Sequence, residues 1–203
     1  SEQHPDVRIN VQGGGSVVGI QAVRDGAADI GMADLVALPE DVRANMFYTI
    51  VARDGIAIIV HPANPIRALS LQQARQIFSG AVRDWREIGG TPGPISVVSC
   101  EEGSGTRKSF DQLLLQGTRL SEKALFQDSN GTIRESVARN PNAIGYISIG
   151  FVDRTVKPLI LDGVAPTSDR IRDGSYPLVR PIFFIARTAP AGAVREFIDF
   201  VLS

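Results

Sequence analysis

Twice in this chain a β-strand pattern runs into a turn rich in glycine and serine and then into a helix pattern. The first turn is "GGGSVVG" (13–19), which follows "VRINV" (7–11). The second is "EEGSGTR" (101–107), which follows "ISVVS" (95–99). Such a turn sets the unpaired N–H groups of a helix start beside the end of a strand. Its glycines allow a ligand or another backbone to approach closely. Two units of this kind point to strands and helices in alternation, and the predicted class is α/β with a largely parallel sheet.

The rest of the chain fits that class. Further strands are predicted at 28–33, 48–60, 143–149, 157–161 and 178–186. The run "YTIVARDGIAIIV" (48–60) is mostly apolar and β-branched, as in a buried strand, and Gly55 is a place for it to bend. A helix is predicted from the first glycine turn to Gly26, with Val18, Ala22 and Val23 on one face. Pro39 opens a short helix with acids in its first turn. Ser70 and Gln73 fit a capping box ahead of a helix that buries Leu71, Ala74, Ile77 and Phe78 and stops at Gly80. Helices over 104–116, 132–140 and 190–202 present Phe110, Leu113 and Leu114 in the first case, and Val194, Phe197, Ile198 and Val201 in the last.

Composition excludes several functions. A net charge of -1 gives no basic field for nucleic acid. No apolar run reaches the roughly 18 residues of a membrane span. Cys100 is the single cysteine and can form no internal disulfide. His4 and His61 are the two histidines, so no metal or other cofactor is expected. His61, in "IIVHPANP", reads as the residue that ends a strand before a turn. The opening "SEQHPDVR" does not have the pattern of a signal peptide.

The second turn reads as an anion cradle. Helix-start N–H groups carry partial positive charge and donate hydrogen bonds to an oxyanion. Gly103 and Gly105 admit it, Ser104 and Thr106 add hydroxyl donors, and Arg107 adds charge. Ser104 as a plain helix cap, a degenerate P-loop, and Arg107 and Lys108 as solvated helix charges remain alternatives; Lys108 should rotate away from the loop. Ser16 stands in the first turn as Ser104 does in the second, so two helix starts are expected to face one ligand. No histidine or lysine is placed as a base for either serine, and an enzyme is not expected.

In "VQGGGSVVGIQAVRDGAADIGMAD", "VARDGIAIIVHPANP", "LQQARQIFSGAVRDWREIGG", "ISVVSCEEGSGTRKSF" and "NPNAIGYISI", taken in this order, the chain resembles the phosphate-binding proteins of bacterial ABC phosphate importers. These are type II periplasmic binding proteins. The resemblance implies two α/β lobes, with residues 1–94 and 155–203 in the first and 95–154 in the second. It implies inorganic phosphate in the cleft, ABC permease subunits as partners, and a periplasmic or extracellular location, with or without a lipoprotein anchor. Ser16 resembles the first-lobe hydroxyl donor and Asp34 the buried acid. Ser104, Gly105 and Thr106 resemble the second-lobe donors. Glu102 lies where the family has an acid paired with an arginine, and with Cys100 and Gly15 it is expected just behind the ligand. The family usually has arginine at the position of Cys100, so Arg107 is expected to substitute. Val17 and Val18 stand where small residues are usual. The numbered chain is also expected to lack the family's first strand, loop and helix. Another oxyanion or small ligand, or a sensory or interaction domain on the same scaffold, are the competing readings.

Overall fold

The structure is a computed structural model that describes residues 7–203. His4 therefore lies outside the described residues. Nine strands are described: β1 (Gly31–Ala33), β2 (Phe47–Val60), β3 (Ala68–Leu69), β4 (Ser96–Cys100), β5 (Leu125–Gln127), β6 (Ala143–Ser148), β7 (Lys157–Pro158), β8 (Ile160–Leu161) and β9 (Val179–Ala186). The α-helices are α1 (Ser16–Arg24), α2 (Glu40–Asn45), α3 (Leu71–Ser79), α4 (Gly105–Phe110), α5 (Asn130–Arg139), α6 (Ser168–Arg172) and α7 (Gly192–Leu202). Among the described residues no helix is long and apolar enough to cross a membrane.

Strand β2 organises the main sheet, whose order is β1-β9-β2-β6-β4-β5 with β7 also on β2. Its first stretch, through Gly55, pairs with β9. Its second, from Ile56, pairs with β6 on the other flank. Burial changes at the same place: residues 47–53 are exposed or half-buried, while 54–60 are all buried. A strand with one solvated face alternates; one covered on both faces reads as a continuous apolar run. Gly55 allows this crossing without a break, since a Cβ there would lie 2.5 Å from Ile171 Cδ1.

The sheet is mixed rather than largely parallel. Parallel pairing is confined to β4–β5, β4–β6 and the separate pair β3–β8. Every pairing of β2 and of β9 is antiparallel. Alternating strand and helix patterns predict the class but not the direction in which a fully buried strand runs. Residues 7–11 form no strand, and Ile9 and Val11 are exposed. Alternation makes a strand only where one of its faces is buried.

Most helix signals hold. The capping box at Ser70 and Gln73 is formed, and Gly80 ends α3 at φ 78°. Helix α4 continues into a π-helical turn at Asp111–Leu115, so the predicted 104–116 helix is present with a change of winding. The buried face of α1 is Ser16, Ile20 and Val23, and Val18 points to solvent. In α7 only Ile198 is fully buried; Phe197 stacks on Phe184, and Val201 is exposed.

Two apolar clusters result. The larger runs from Ile56 to Leu178 and includes Phe78, Trp85, Phe110 and Tyr146. The smaller joins Ile20, Ala33, Leu35, Leu38 and Val42 to Phe183 and Ile185 of β9. In the larger one, Phe110 stacks on Tyr146 at 3.6 Å between centroids, and Phe78 meets both rings edge-on. Truncating Phe78 removes that shared edge and leaves a cavity. Phe78→Ala is expected to cost about 3–5 kcal/mol of stability, read as a lower urea midpoint at unchanged slope.

Candidate functional site

The first turn is positioned by two glycines that let a helix lie directly on a strand. A Cβ at Gly19 would come 2.8 Å from the Met32 carbonyl oxygen, and one at Gly31 would come 2.5 Å from the Gly19 carbonyl oxygen. This close crossing brings the start of α1 to the end of β1. Ser16, buried, then meets Asp34: its hydroxyl donates to Asp34 Oδ1 and accepts from the Asp34 N–H at 3.1 Å. Gly15 caps α1 without a side-chain hydrogen bond, so no side chain consumes the first N–H groups of this helix.

The second turn arrives at the same carboxylate. Strand β4 ends at Cys100, and α4 begins at Gly105. Thr106 is buried, and its hydroxyl donates to Asp34 Oδ2 at 3.4 Å. Ser109, one turn on, donates to the Asp34 carbonyl oxygen at 3.0 Å. Gly105 sits so tightly that an added Cβ would collide with the Asp34 carboxylate and the Ser16 hydroxyl. Gly15 faces Gly103, whose carbonyl oxygen lies 2.8 Å from where a Gly15 Cβ would be. The two glycine-serine turns, distant in sequence, are face to face.

Two residues of this site were not anticipated from the sequence: Arg180 on β9 and Asp54 on β2. They are ladder partners. Arg180 is 1% exposed. Its Nε and Nη2 donate to Asp54 Oδ2 at 3.0 and 2.8 Å. Nη1 donates to the Asp34 carbonyl oxygen at 2.9 Å, Nη2 donates to Thr106 Oγ1 at 3.0 Å, and Nη2 is ion-paired with Asp34 Oδ2 at 2.7 Å. The Ser148 hydroxyl satisfies the other oxygen of Asp54 at 2.7 Å. A signal did exist: each of these charges interrupts an apolar strand, "VRPIFFIA" and "ARDGIAII". A buried charge is tolerated only when paired.

The remaining candidates take other places. Ser104 caps α4 by accepting from the Arg107 N–H at 3.3 Å. Arg107 does not reach Asp34. Its Nε donates to both oxygens of Asp111 at 2.8 Å, its Nη1 donates to Ser99 Oγ and the Cys100 carbonyl oxygen at 3.3 Å, and its guanidinium lies over Phe126. The expectation that Arg107 stands in for an arginine at position 100 does not match this placement, because Asp111 one turn along the helix captures it. Glu102 and Lys108 are exposed. His61 accepts from the Ala63 N–H at 3.1 Å in the turn after β2.

Cys100 is 2% exposed at the end of β4. Burial pushes its thiol up; a hydrogen bond with Ser104 and the nearby Arg180 and Arg107 cations act the other way without cancelling it. The thiolate is the nucleophile, so a raised and covered thiol is inert. Native Cys100 is expected to resist a neutral-pH disulfide reagent and to react stoichiometrically after unfolding in guanidinium. Prompt labelling of the folded chain would contradict this burial.

Comparison with known proteins places the chain in a family. A family model described as a PBP superfamily domain matches residues 1–203. The phosphate-binding protein PstS of Bacillus subtilis is 32% identical over 206 residues, covering 100% of this chain and 68% of that protein. A phosphate ABC transporter substrate-binding protein from Clostridium perfringens, solved with bound phosphate, superimposes with a TM-score of 0.92 at 36% identity, over 100% of this chain and 84% of the other. An ABC-type phosphate transport receptor from Vibrio cholerae gives a TM-score of 0.83 at 35% identity, over 100% and 85%. The fold is thus α/β of the type II periplasmic-binding-protein kind, and the chain belongs to the PBP superfamily, within the family of phosphate-binding proteins of ABC importers.

Proposed function

We propose that this chain is an extracytoplasmic solute-binding protein that captures inorganic phosphate between its two glycine-serine turns and delivers it to the permease of an ABC importer. The observation that carries this reading is the convergence of Ser16 and Thr106 hydroxyls, from opposite turns, on the single carboxylate of Asp34. Donors that surround a carboxylate are equally suited to surround the oxygens of a tetrahedral anion. The first N–H groups of α1 add to them.

Asp34 supplies the discrimination. Near neutral pH phosphate still carries a proton, whereas sulfate carries none. When phosphate takes the Ser16 hydroxyl bond, Asp34 Oδ1 loses a donor and regains one from the phosphate O–H. Sulfate takes the same hydroxyl and returns nothing, which leaves a carboxylate oxygen unpaired against an anion. An unpaired polar group of this kind costs about 1–3 kcal/mol, and more when charged, so discrimination of roughly a hundredfold or more follows.

In this reading the two lobes meet where β2 and β9 pair. The buried residues of 56–94 pack with those of 97–161, which favours lobes of 7–55 with 179–203 and of 56–178 over borders at 94/95 and 154/155. Ser16 and Asp34 then come from one lobe, and Gly105 and Thr106 from the other. A ligand held by both sides binds the closed form better and so drives closure.

Calorimetric titration tests the reading directly. The wild-type chain is expected to bind phosphate, and arsenate as a second protonated anion, at least about a hundredfold more tightly than sulfate or molybdate. Asp34→Asn is expected to lose most of the preference for phosphate over sulfate. Gly105→Ala is expected to weaken phosphate by about 5- to 150-fold, the equivalent of 1–3 kcal/mol of overpacking. Sulfate binding as tightly as phosphate to the wild-type chain would sink the proposal.

A further inference from the structure

Resting on the phosphate reading, we infer that Arg180, on the crossing strand β9, is the residue that positions Asp34 for selectivity. Arg180 does not itself reach solvent, so it acts through Asp34 rather than on the anion. It holds Asp34 at two points, the backbone carbonyl and Oδ2. Oδ2 is thereby engaged, together with the Thr106 hydroxyl. Oδ1 alone is turned toward Ser16 and Gly105, where an anion would sit. A carboxylate fixed in this way offers one acceptor to the ligand and no donor.

The rigidity of Arg180 comes from outside the site. Asp54, its ladder partner, takes two of its N–H groups, and Ser148 on β6 holds Asp54. The guanidinium fork is therefore set by the pairing of β2 and β9 before any ligand arrives. The charged groups that face it are Asp34 and Asp54. Arg107, the next cation, is committed to Asp111. Without Arg180, Asp34 would be free to rotate, and its Oδ1 would no longer be held where the ligand's proton would meet it. A carboxylate that can turn away no longer leaves an unprotonated anion facing an unpaired acceptor, so the penalty on sulfate falls. The loss of Arg180 should thus change which anion binds, and not merely how tightly.

The test is calorimetric titration of Arg180→Met, Arg180→Lys and Asp54→Asn with inorganic phosphate and with sulfate, each variant checked for fold by circular dichroism and thermal melting. Arg180→Met is expected to weaken phosphate by about a hundredfold or more and to lower the phosphate-to-sulfate affinity ratio by at least about tenfold. Arg180→Lys, which restores charge but not the fork, should recover part of that ratio. Asp54→Asn should lower it by less than Arg180→Met. If Arg180→Met does not fold, the other two variants decide: a reduced ratio supports the inference and an unchanged one overturns it. A folded Arg180→Met that keeps the wild-type ratio, or loses both anions equally, overturns the inference while leaving the phosphate reading intact. A wild-type chain that binds no phosphate overturns both.

Discussion

A single buried guanidinium ties this molecule together. Arg180 joins β9 to β2 through Asp54, reaches the loop after β1 through Asp34, and touches α4 through Thr106. No other side chain in the described structure is shown bridging the same three places. An arginine buried without partners would destabilise the fold by several kcal/mol. Here two of its partners, Asp34 and Thr106, also face the proposed ligand, so satisfying the charge and shaping the site are met together. The crossing strands therefore do more than connect two halves; they carry the reference point against which the carboxylate is aligned.

The same geometry explains why glycine is required where the turns meet. Gly105 leaves room for Asp34 and Ser16, and Gly15 leaves room for Gly103. In this arrangement Asp34 is held by the hydroxyls that the proposed anion would use. Ligand and carboxylate compete for the Ser16 proton, and a protonated ligand returns the hydrogen bond it takes. Affinity then depends on the difference between two well-bonded states rather than on the gross count of bonds, which is the usual situation for polar recognition in a desolvated site.

Much of this was legible in the sequence, and the reason differs from element to element. The two glycine-serine turns, Ser16, Asp34 and Thr106 were readable because helix starts have a local signature and the motifs around them are specific to a family. The α3 cap was readable because Ser70 and Gln73 satisfy each other within one turn. Arg180 and Asp54 were not read, although each breaks an apolar strand, because their meaning lies in a pairing between residues far apart in the chain. Strand direction was misjudged for the same reason. Arg107 was expected to grip the oxyanion with its guanidinium fork, and in the structure Asp111 at the i,i+4 position takes its Nε. Residues 7–11 show the converse error, in which alternation alone was read as a strand.

Cys100 makes sense once charges are tallied at the site rather than along the motif. Asp34 and Asp54 against Arg180 leave one uncompensated negative charge near the proposed ligand. A phosphate dianion adds to that excess, so simple attraction between charges cannot hold it there. What remains is a set of neutral dipoles: two hydroxyls and the N–H groups at a helix start, oriented by the fold in advance of binding. Dipoles of this kind do not distinguish phosphate from sulfate. The excess negative charge does, because only an anion that still owns a proton can turn a repelling carboxylate into an acceptor. A neutral thiol in place of another cation at the end of β4 preserves that excess, and with it the penalty on any anion that arrives without a proton.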